Sequence, residues 1–398
     1  LIFLISKNFF WKTWGFFNKI LKREKNFYNK RTMSKKNPSE TFGEKFSDTF
    51  SSIEKQFGKG SIMFLDTQNV TKIPAVSTGS FALDMYLGIG GVPRGRISEI
   101  YGHEGSGKTT LALQTIAQGQ KAGLNCAFID TEHALNVEYA RQLSVQIDKL
   151  AISQPDSGEA ALGILEMLVK SGEFHLIVLD SVASLTPMAE LEGDMGDSHI
   201  GLQARLMSQA LRKIVGHVSK NNVALVFINQ TRSKIGISFP GASTETTTGG
   251  NSLKFYCSVR MEIKKIGTLF KTVAGVKKVI GSRTLIKIVK NKFAAPFKEV
   301  KLDLIFGKGT SYAGEIFDLC VEKEYDFNLI QQSGSWYQFK GEKLGQGRDN
   351  VLIDMEKNPK LMEQLKAEIL NIYSTKHHIN VVASTPVDED DLNEAPLD

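Results

Sequence analysis

Arg96-Ile97-Ser98-Glu99-Ile100-Tyr101-Gly102-His103-Glu104-Gly105-Ser106-Gly107-Lys108-Thr109-Thr110 is the stretch on which the fold turns. Arg96 to Tyr101 reads as a short strand, Gly102 to Thr109 fits G-x-x-x-x-G-K-[ST], and the run from Thr110 to Ala122 has helical periodicity. Glycines let such a loop curl until several N–H groups point inward, and the following helix adds the positive end of its dipole. Together they make a nest for a β-phosphate. Gly102, His103, Glu104, Gly105, Ser106 and Gly107 then form the cradle, with Thr110 just behind it. Lys108 reaches the β- and γ-phosphates, and the Thr109 hydroxyl holds Mg²⁺. Glu104 is expected to face away, because phosphate repels a carboxylate.

Outward from this loop, Asn125 to Asp130, His175 to Asp180 and Val223 to Ile228 are further strands, each followed or preceded by a helical run. Alternation of that kind implies an α/β fold with a mainly parallel sheet flanked by helices. Ligands bind beyond the carboxyl ends of such strands, where Asp180 terminates a wholly apolar run and becomes a second Mg²⁺ residue. Glu132 follows the strand ending at Asp130 and is the candidate general base for water. The competing expectation is that Glu132 caps a helix beginning near Asn136.

Beyond Asn229-Gln230 lie about twenty residues, Thr231 to Gly250, without hydrophobic periodicity, a length of loop that is usually functional. Arg232, Lys234 and Phe239 offer cations and one aromatic ring, and Gly249 and Gly250 free backbone N–H groups, a composition suited to single-stranded nucleic acid. Gln230 at its root could sense a γ-phosphate and order the loop. The helix from Ile200 to Ser219 is expected to bury Leu206, Met207, Ala210, Leu211, Ile214 and Val218, leaving Arg205, Arg212 and Lys213 on other faces. Glu192 to His199 is a second aperiodic loop.

The flanks differ in character. Eight of the 49 basic residues and one of the 43 acidic ones fall in 1–32, so this segment holds +7 of the net +6 and the remainder sits at −1. A polyanion-binding surface must therefore be local. Residues 1–32 precede Met33-Ser34-Lys35-Lys36, which resembles a start, and are read as upstream or functionless sequence, a targeting peptide or a membrane-surface helix. They stand outside the fold argument. Residues 33–73 contain a short amphipathic helix over 42–60, with Phe42, Phe46, Phe50, Ile53 and Phe57 spaced by three or four. The core spans 74–312, a small α/β domain 313–376, and an acidic tail, expected to be disordered, 377–398. Cys126, Cys257 and Cys320 are too scattered for a disulfide framework or zinc site and suit buried positions in a reducing compartment such as the cytoplasm. No run reaches the ~18 apolar residues that span a bilayer.

From about residue 50 to 375 the chain resembles the bacterial RecA recombinases. The matching segments are Ile53 to Met63, the phosphate loop, Phe128-Ile129-Asp130-Thr131-Glu132-His133-Ala134-Leu135, Gly196-Asp197-Ser198-His199, Phe227-Ile228-Asn229-Gln230, Thr246 to Asn251, Val289-Lys290-Asn291-Lys292 and Gly341 to Gly347. The resemblance implies a RecA-like P-loop ATPase core with an N-terminal helical arm. It implies ATP and Mg²⁺ as cofactors, a helical filament on single-stranded DNA, pairing with double-stranded DNA, and a LexA-type repressor as partner. It makes Glu132 the catalytic glutamate beside Lys108, Gln230 the γ-phosphate sensor and Tyr139 the residue stacking on adenine. Lys290 and Lys292 become contacts to a neighbouring subunit's nucleotide. Arg205, Arg212, Arg232, Lys234, Phe239, Gly249, Gly250 and Asn251 become DNA contacts. Three departures stand out: His103 where proline is common, Asn136 where an aspartate accepts from the adenine amino group, and a DNA loop about two residues longer between Phe239 and Glu245.

Overall fold

A computed structural model describes residues 46–62, 73–194, 201–233, 245–273 and 275–377. The chain divides into two units, before and after Ile73. In the first, helix α1 (Ser47–Phe57) falls inside the expected 42–60 but is shorter, Phe42 lies outside the described residues, and the Phe46 and Phe50 rings are 6.3 Å apart. Gly58, at φ +98°, ends it, and none of its residues is buried.

The second unit begins with β1 (Ala75–Val76), α2 (Phe81–Leu87), β2 (Val92–Pro93), β3 (Arg96–Gly102), α3 (Lys108–Lys121), β4 (Cys126–Asp130), α4 (Val137–Gln142) and β5 (Leu150–Ser153). There follow α5 (Gly158–Ser171), β6 (Leu176–Asp180), α6 (Met188–Leu191), α7 (Leu202–Lys220), β7 (Ala224–Ser233), β8 (Glu245–Thr247), α8 (Ser252–Tyr256) and the long pair β9 (Val259–Val273) and β10 (Val276–Asn291). The chain continues through β11 (Glu299–Ile305), β12 (Gly309–Thr310), α9 (Tyr312–Val321), β13 (Ile330–Ser333), β14 (Trp336–Phe339), β15 (Glu342–Gln346), α10 (Arg348–Lys357) and α11 (Pro359–His377). Helix starts follow local chemistry: the side chains of Ser80, Asn136, Ser157 and Ser311 each accept a first-turn N–H of α2, α4, α5 and α9.

The central sheet runs β12-β11-β10-β9-β3-β7-β6-β4-β5, with β8 attached to β7. From β9 to β5 every pairing is parallel, and from β9 to β12 every pairing is antiparallel. Period-two alternation splits the core between the two faces: Ala224, Val226 and Ile228 join one apolar cluster, and Leu225 and Phe227 join the other. The first cluster runs on into the C-terminal part, taking in Phe317, Tyr337, Val351 and Leu365. A three-stranded antiparallel sheet, β13-β14-β15, belongs to that part.

Two expectations need correction. Thr231 to Gly250 is not structureless throughout, because β7 continues to Ser233 and Thr231, Arg232 and Ser233 pair antiparallel with Thr247, Thr246 and Glu245. The intervening 234–244, and with them Lys234 and Phe239, lie outside the described residues. On α7, Met207, Leu211, Ile214 and Val218 are buried, but Leu206 and Ala210 are only half-buried against the same cluster. Residues 1–45, the segment 195–200 and the tail from 378 also lie outside the described residues. Cys126, Cys257 and Cys320 are buried and unpaired. No helix among the described residues is long and apolar enough to cross a membrane.

Candidate functional site

Register brings the site together. Gly102 is level with Gln230 across β3 and β7, and Asp130 is level with Asp180 across β4 and β6. The phosphate loop, Glu132, Asp180 and Gln230 thus share the carboxyl edge of the sheet, as the strand order requires.

Gly105 and Gly107 take φ +66° and +100°, in the left-handed region that glycine enters at no steric cost. A Cβ on Gly107 would lie 2.3 Å from the Leu304 side chain, so the loop is also held close to β11. Ser106 Oγ and Lys108 Nζ both donate to the His103 carbonyl, at 2.8 and 2.7 Å. Burial lowers the pKa of Lys108, and the nearby Asp180, Glu132 and Glu104 oppose that shift. Glu104 itself is exposed.

Thr109 Oγ1 donates to Asp180 Oδ2 at 2.7 Å, which sets side by side the two oxygen groups assigned to Mg²⁺. Burial pushes the Asp180 carboxyl up to about 6 against the lowering effect of that hydrogen bond. A buried carboxylate and a hydroxyl are hard oxygen donors and fit Mg²⁺. Among the described residues no group of three or more His, Cys, Asp or Glu could hold a metal.

Glu132 Oε1 accepts from Ser181 Oγ at 2.7 Å and Gln230 Nε2 at 2.9 Å. It does not cap α4, since Asn136 does so by accepting from the Tyr139 N–H at 2.9 Å. Asn136, which stands where the resemblance implies an acceptor for the adenine amino group, thus accepts within its own helix. Tyr139 bonds through its hydroxyl to Thr110 Oγ1 at 2.9 Å, which ties α4 to the first turn of α3.

The DNA-loop candidates are only partly assembled. Arg205 and Arg212 are exposed on α7, and seven residues, about 10 Å along a helix, separate them. Arg232 is exposed on the β7–β8 stem. Gly249 donates its N–H to Gln203 at 3.2 Å, and a Cβ on Gly250 would lie 2.8 Å from Ala204, so the two glycines lie against the start of α7. Asn251 precedes α8 without capping it. Lys290 is level with Arg260, which is itself level with Glu99 at the middle of β3. Its ammonium donates to the carbonyls of Lys254 and Phe255 at 2.7 and 3.1 Å, at the C-terminus of α8. Lys292 is exposed nearby.

Sequence reasoning missed the polar framework beneath these groups. Asn229, fully buried, donates to Glu99 at 2.9 Å and accepts from the Gln230 N–H at 2.8 Å and from the Thr248 hydroxyl at 2.5 Å. Glu99, equally buried, pairs with Arg260, whose guanidinium lies 4.7 Å from the Tyr101 ring centre. The available signal was a carboxylate and an amide inside otherwise apolar strands, which burial permits only when they are partnered. Asp130 was likewise passed over: it accepts from the Leu135 N–H at 3.1 Å and from Gln154 at 2.9 Å, fixing the turn that presents Glu132.

Known proteins resemble this chain over most of its length. The RecA N-terminal domain model matches residues 44–311 and the RecA C-terminal domain model residues 314–374. Protein RecA of Acinetobacter baylyi is 54% identical over 340 residues, which cover 85% of this chain and 95% of that protein. Protein RecA of Acinetobacter baumannii strain AYE is 56% identical over 319 residues, covering 80% and 88%. A crystal structure of the RadB recombinase overlaps 59% of this chain and 98% of its own at 24% identity, with a TM-score of 0.44. The two domain models and the extent of identity establish that the chain belongs to the RecA family.

Proposed function

We propose that the protein is an ATP-dependent recombinase that assembles as a helical filament on single-stranded DNA, pairs it with homologous double-stranded DNA and exchanges strands. Family membership supports the broader role, a DNA-dependent ATPase of recombination and repair. The observation that carries the finer reading is the 2.9 Å hydrogen bond from Gln230 to Glu132. It joins the base assigned to hydrolysis to the root of the segment assigned to DNA.

Bound ATP and Mg²⁺ would supply the electrophilic γ-phosphorus and neutralise its charge. Lys108 then exchanges the His103 carbonyl for phosphate oxygens, and Thr109 and Asp180 hold the cation. Both bonds to Glu132 fall on Oε1, leaving Oε2 to take a proton from water. Gln230 turns toward the γ-phosphate and carries the β7–β8 stem with it. DNA affinity then follows nucleotide state. Lys290 and Lys292 serve a neighbouring subunit's nucleotide, as the resemblance implies. A filament of this kind also promotes self-cleavage of a LexA-type repressor.

The test is affinity for a fluorescent oligothymidylate with a non-hydrolysable ATP analogue, with ADP and without nucleotide, alongside strand exchange between homologous substrates. We expect tight binding in the first state alone, and joint-molecule formation. Equal binding in all three states would sink the reading.

A further inference from the structure

We infer that His103 and Thr231 form a second link between the phosphate loop and the stem of the DNA loop, one that works beside Gln230 to set how strongly the stem follows nucleotide state. The inference rests on the nucleotide-gated DNA binding proposed above.

Strand β7 outruns the sheet at its carboxyl end, and there its successive side chains contact different neighbours. Gln230 reaches Glu132, and Thr231, the next residue, places Oγ1 3.3 Å from His103 Nδ1. Opposite orientation of consecutive side chains is the ordinary geometry of a strand. Thr231 is also the first residue of β7 to pair with β8, opposite Thr247. A force applied at Thr231 therefore acts on the base of the stem.

His103 is placed to transmit one. Its carbonyl accepts from both Lys108 Nζ and Ser106 Oγ, at 2.7 and 2.8 Å. A triphosphate that draws Lys108 away removes one of those two bonds and lets the His103 peptide adjust, while the ring of the same residue touches the stem. Either tautomer serves, since the Thr231 hydroxyl can donate or accept. A proline in place of His103 would have no side-chain donor or acceptor and could not make the contact. His103 and Thr231 act through Lys108 and the stem, so they are positioning residues rather than catalytic ones.

The readout is nucleotide discrimination: the ratio of oligothymidylate Kd with ADP to that with the ATP analogue. Thr231→Val keeps the β-branched shape that suits a strand and removes only the hydroxyl. We expect Thr231→Val and His103→Ala each to lower the ratio by about fivefold, the weight of one hydrogen bond. The double variant should lower it no further than either single change, because both remove the same interaction. Thr231→Ser should retain the wild-type ratio. An unchanged ratio in Thr231→Val, or a double variant whose loss is the product of the two single losses, would overturn the link. A wild-type protein that binds DNA equally with ADP and the analogue would instead overturn the gating itself, so the two failures are distinguishable.

Discussion

Glu132 and Glu315 show how differently two carboxylates are used. Glu132 is exposed and bonded to Ser181 and Gln230. We expect Glu132→Gln to lower DNA-stimulated ATP hydrolysis by about 10²-fold or more. A phosphate-release assay checks this, and intact turnover would remove Glu132 from the role of base. Glu315 is buried between α9 and α2, where it accepts from the Ser80 hydroxyl at 2.8 Å and the Ala82 N–H at 3.2 Å. Burial pushes its carboxyl up to about 8, and Asp84, itself pushed up to about 7, adds to the shift. The folded state therefore holds a proton on Glu315 that the unfolded chain releases near the ordinary glutamate value. Its contribution to stability is full below that value and is lost as pH rises through about 8. Across that window one retained proton corresponds to about 1.4 kcal/mol per pH unit, so Glu315→Gln should flatten the decline of the denaturation midpoint between pH 5 and 8. Glu132 was legible in the sequence because a strand ending beside a phosphate loop is a local pattern. Glu315 was not, since the Ser80 and Ala82 groups it accepts from are more than 230 positions away.

The elements that carry the site divide along the same line. Strand β3, the phosphate loop and α3 were readable because motif, strand and helix are contiguous. The continuation of β7 through Thr231, Arg232 and Ser233 was not, because three polar residues give no alternation and their partners, Glu245 to Thr247, lie on the far side of 234–244. The β9–β10 pair was also hidden: its register shifts near Ile280, Arg283 and Ile288 break the period-two pattern that would have announced two long strands. Glycine position decides what each element tolerates. Gly249 has φ +77°, and a Cβ there would meet Val182 at 2.7 Å. Gly249→Ala should cost about 1–3 kcal/mol of stability and weaken oligonucleotide binding, as denaturation and fluorescence anisotropy would show. Gly163 sits inside α5 with nothing within 4 Å of its would-be Cβ. Gly163→Ala should stabilise the protein by about 0.5–1 kcal/mol. Equal effects of the two changes would refute the contrast.

Across the whole second unit, charge joins what the main chain connects only through turns. Arg348 of α10 pairs with Asp303 of β11 and Asp318 of α9 at 2.7 and 3.0 Å, and Arg283 of β10 pairs with Asp318 and Glu322 at 2.7 and 2.8 Å. Asp303 and Asp318 are only 5% and 8% exposed, so removing one cation strands charge in the interior. Arg348→Met should lower the unfolding free energy by about 3 kcal/mol, little altered by salt, with the denaturant midpoint as the measurement. A loss confined to low salt would place the network on the surface instead. The parallel half of the sheet could be foreseen from alternating strands and helices. Its antiparallel half and this network could not, because both depend on pairings that no local period encodes. The margins of the sheet carry a last consequence. It ends in β12, two residues long, and in β5, four residues long. Molecules crowded shoulder to shoulder along a polymer would face one another at very high local density, where a long bare strand invites indiscriminate zippering. At β12 and β5 so short a margin offers little such template.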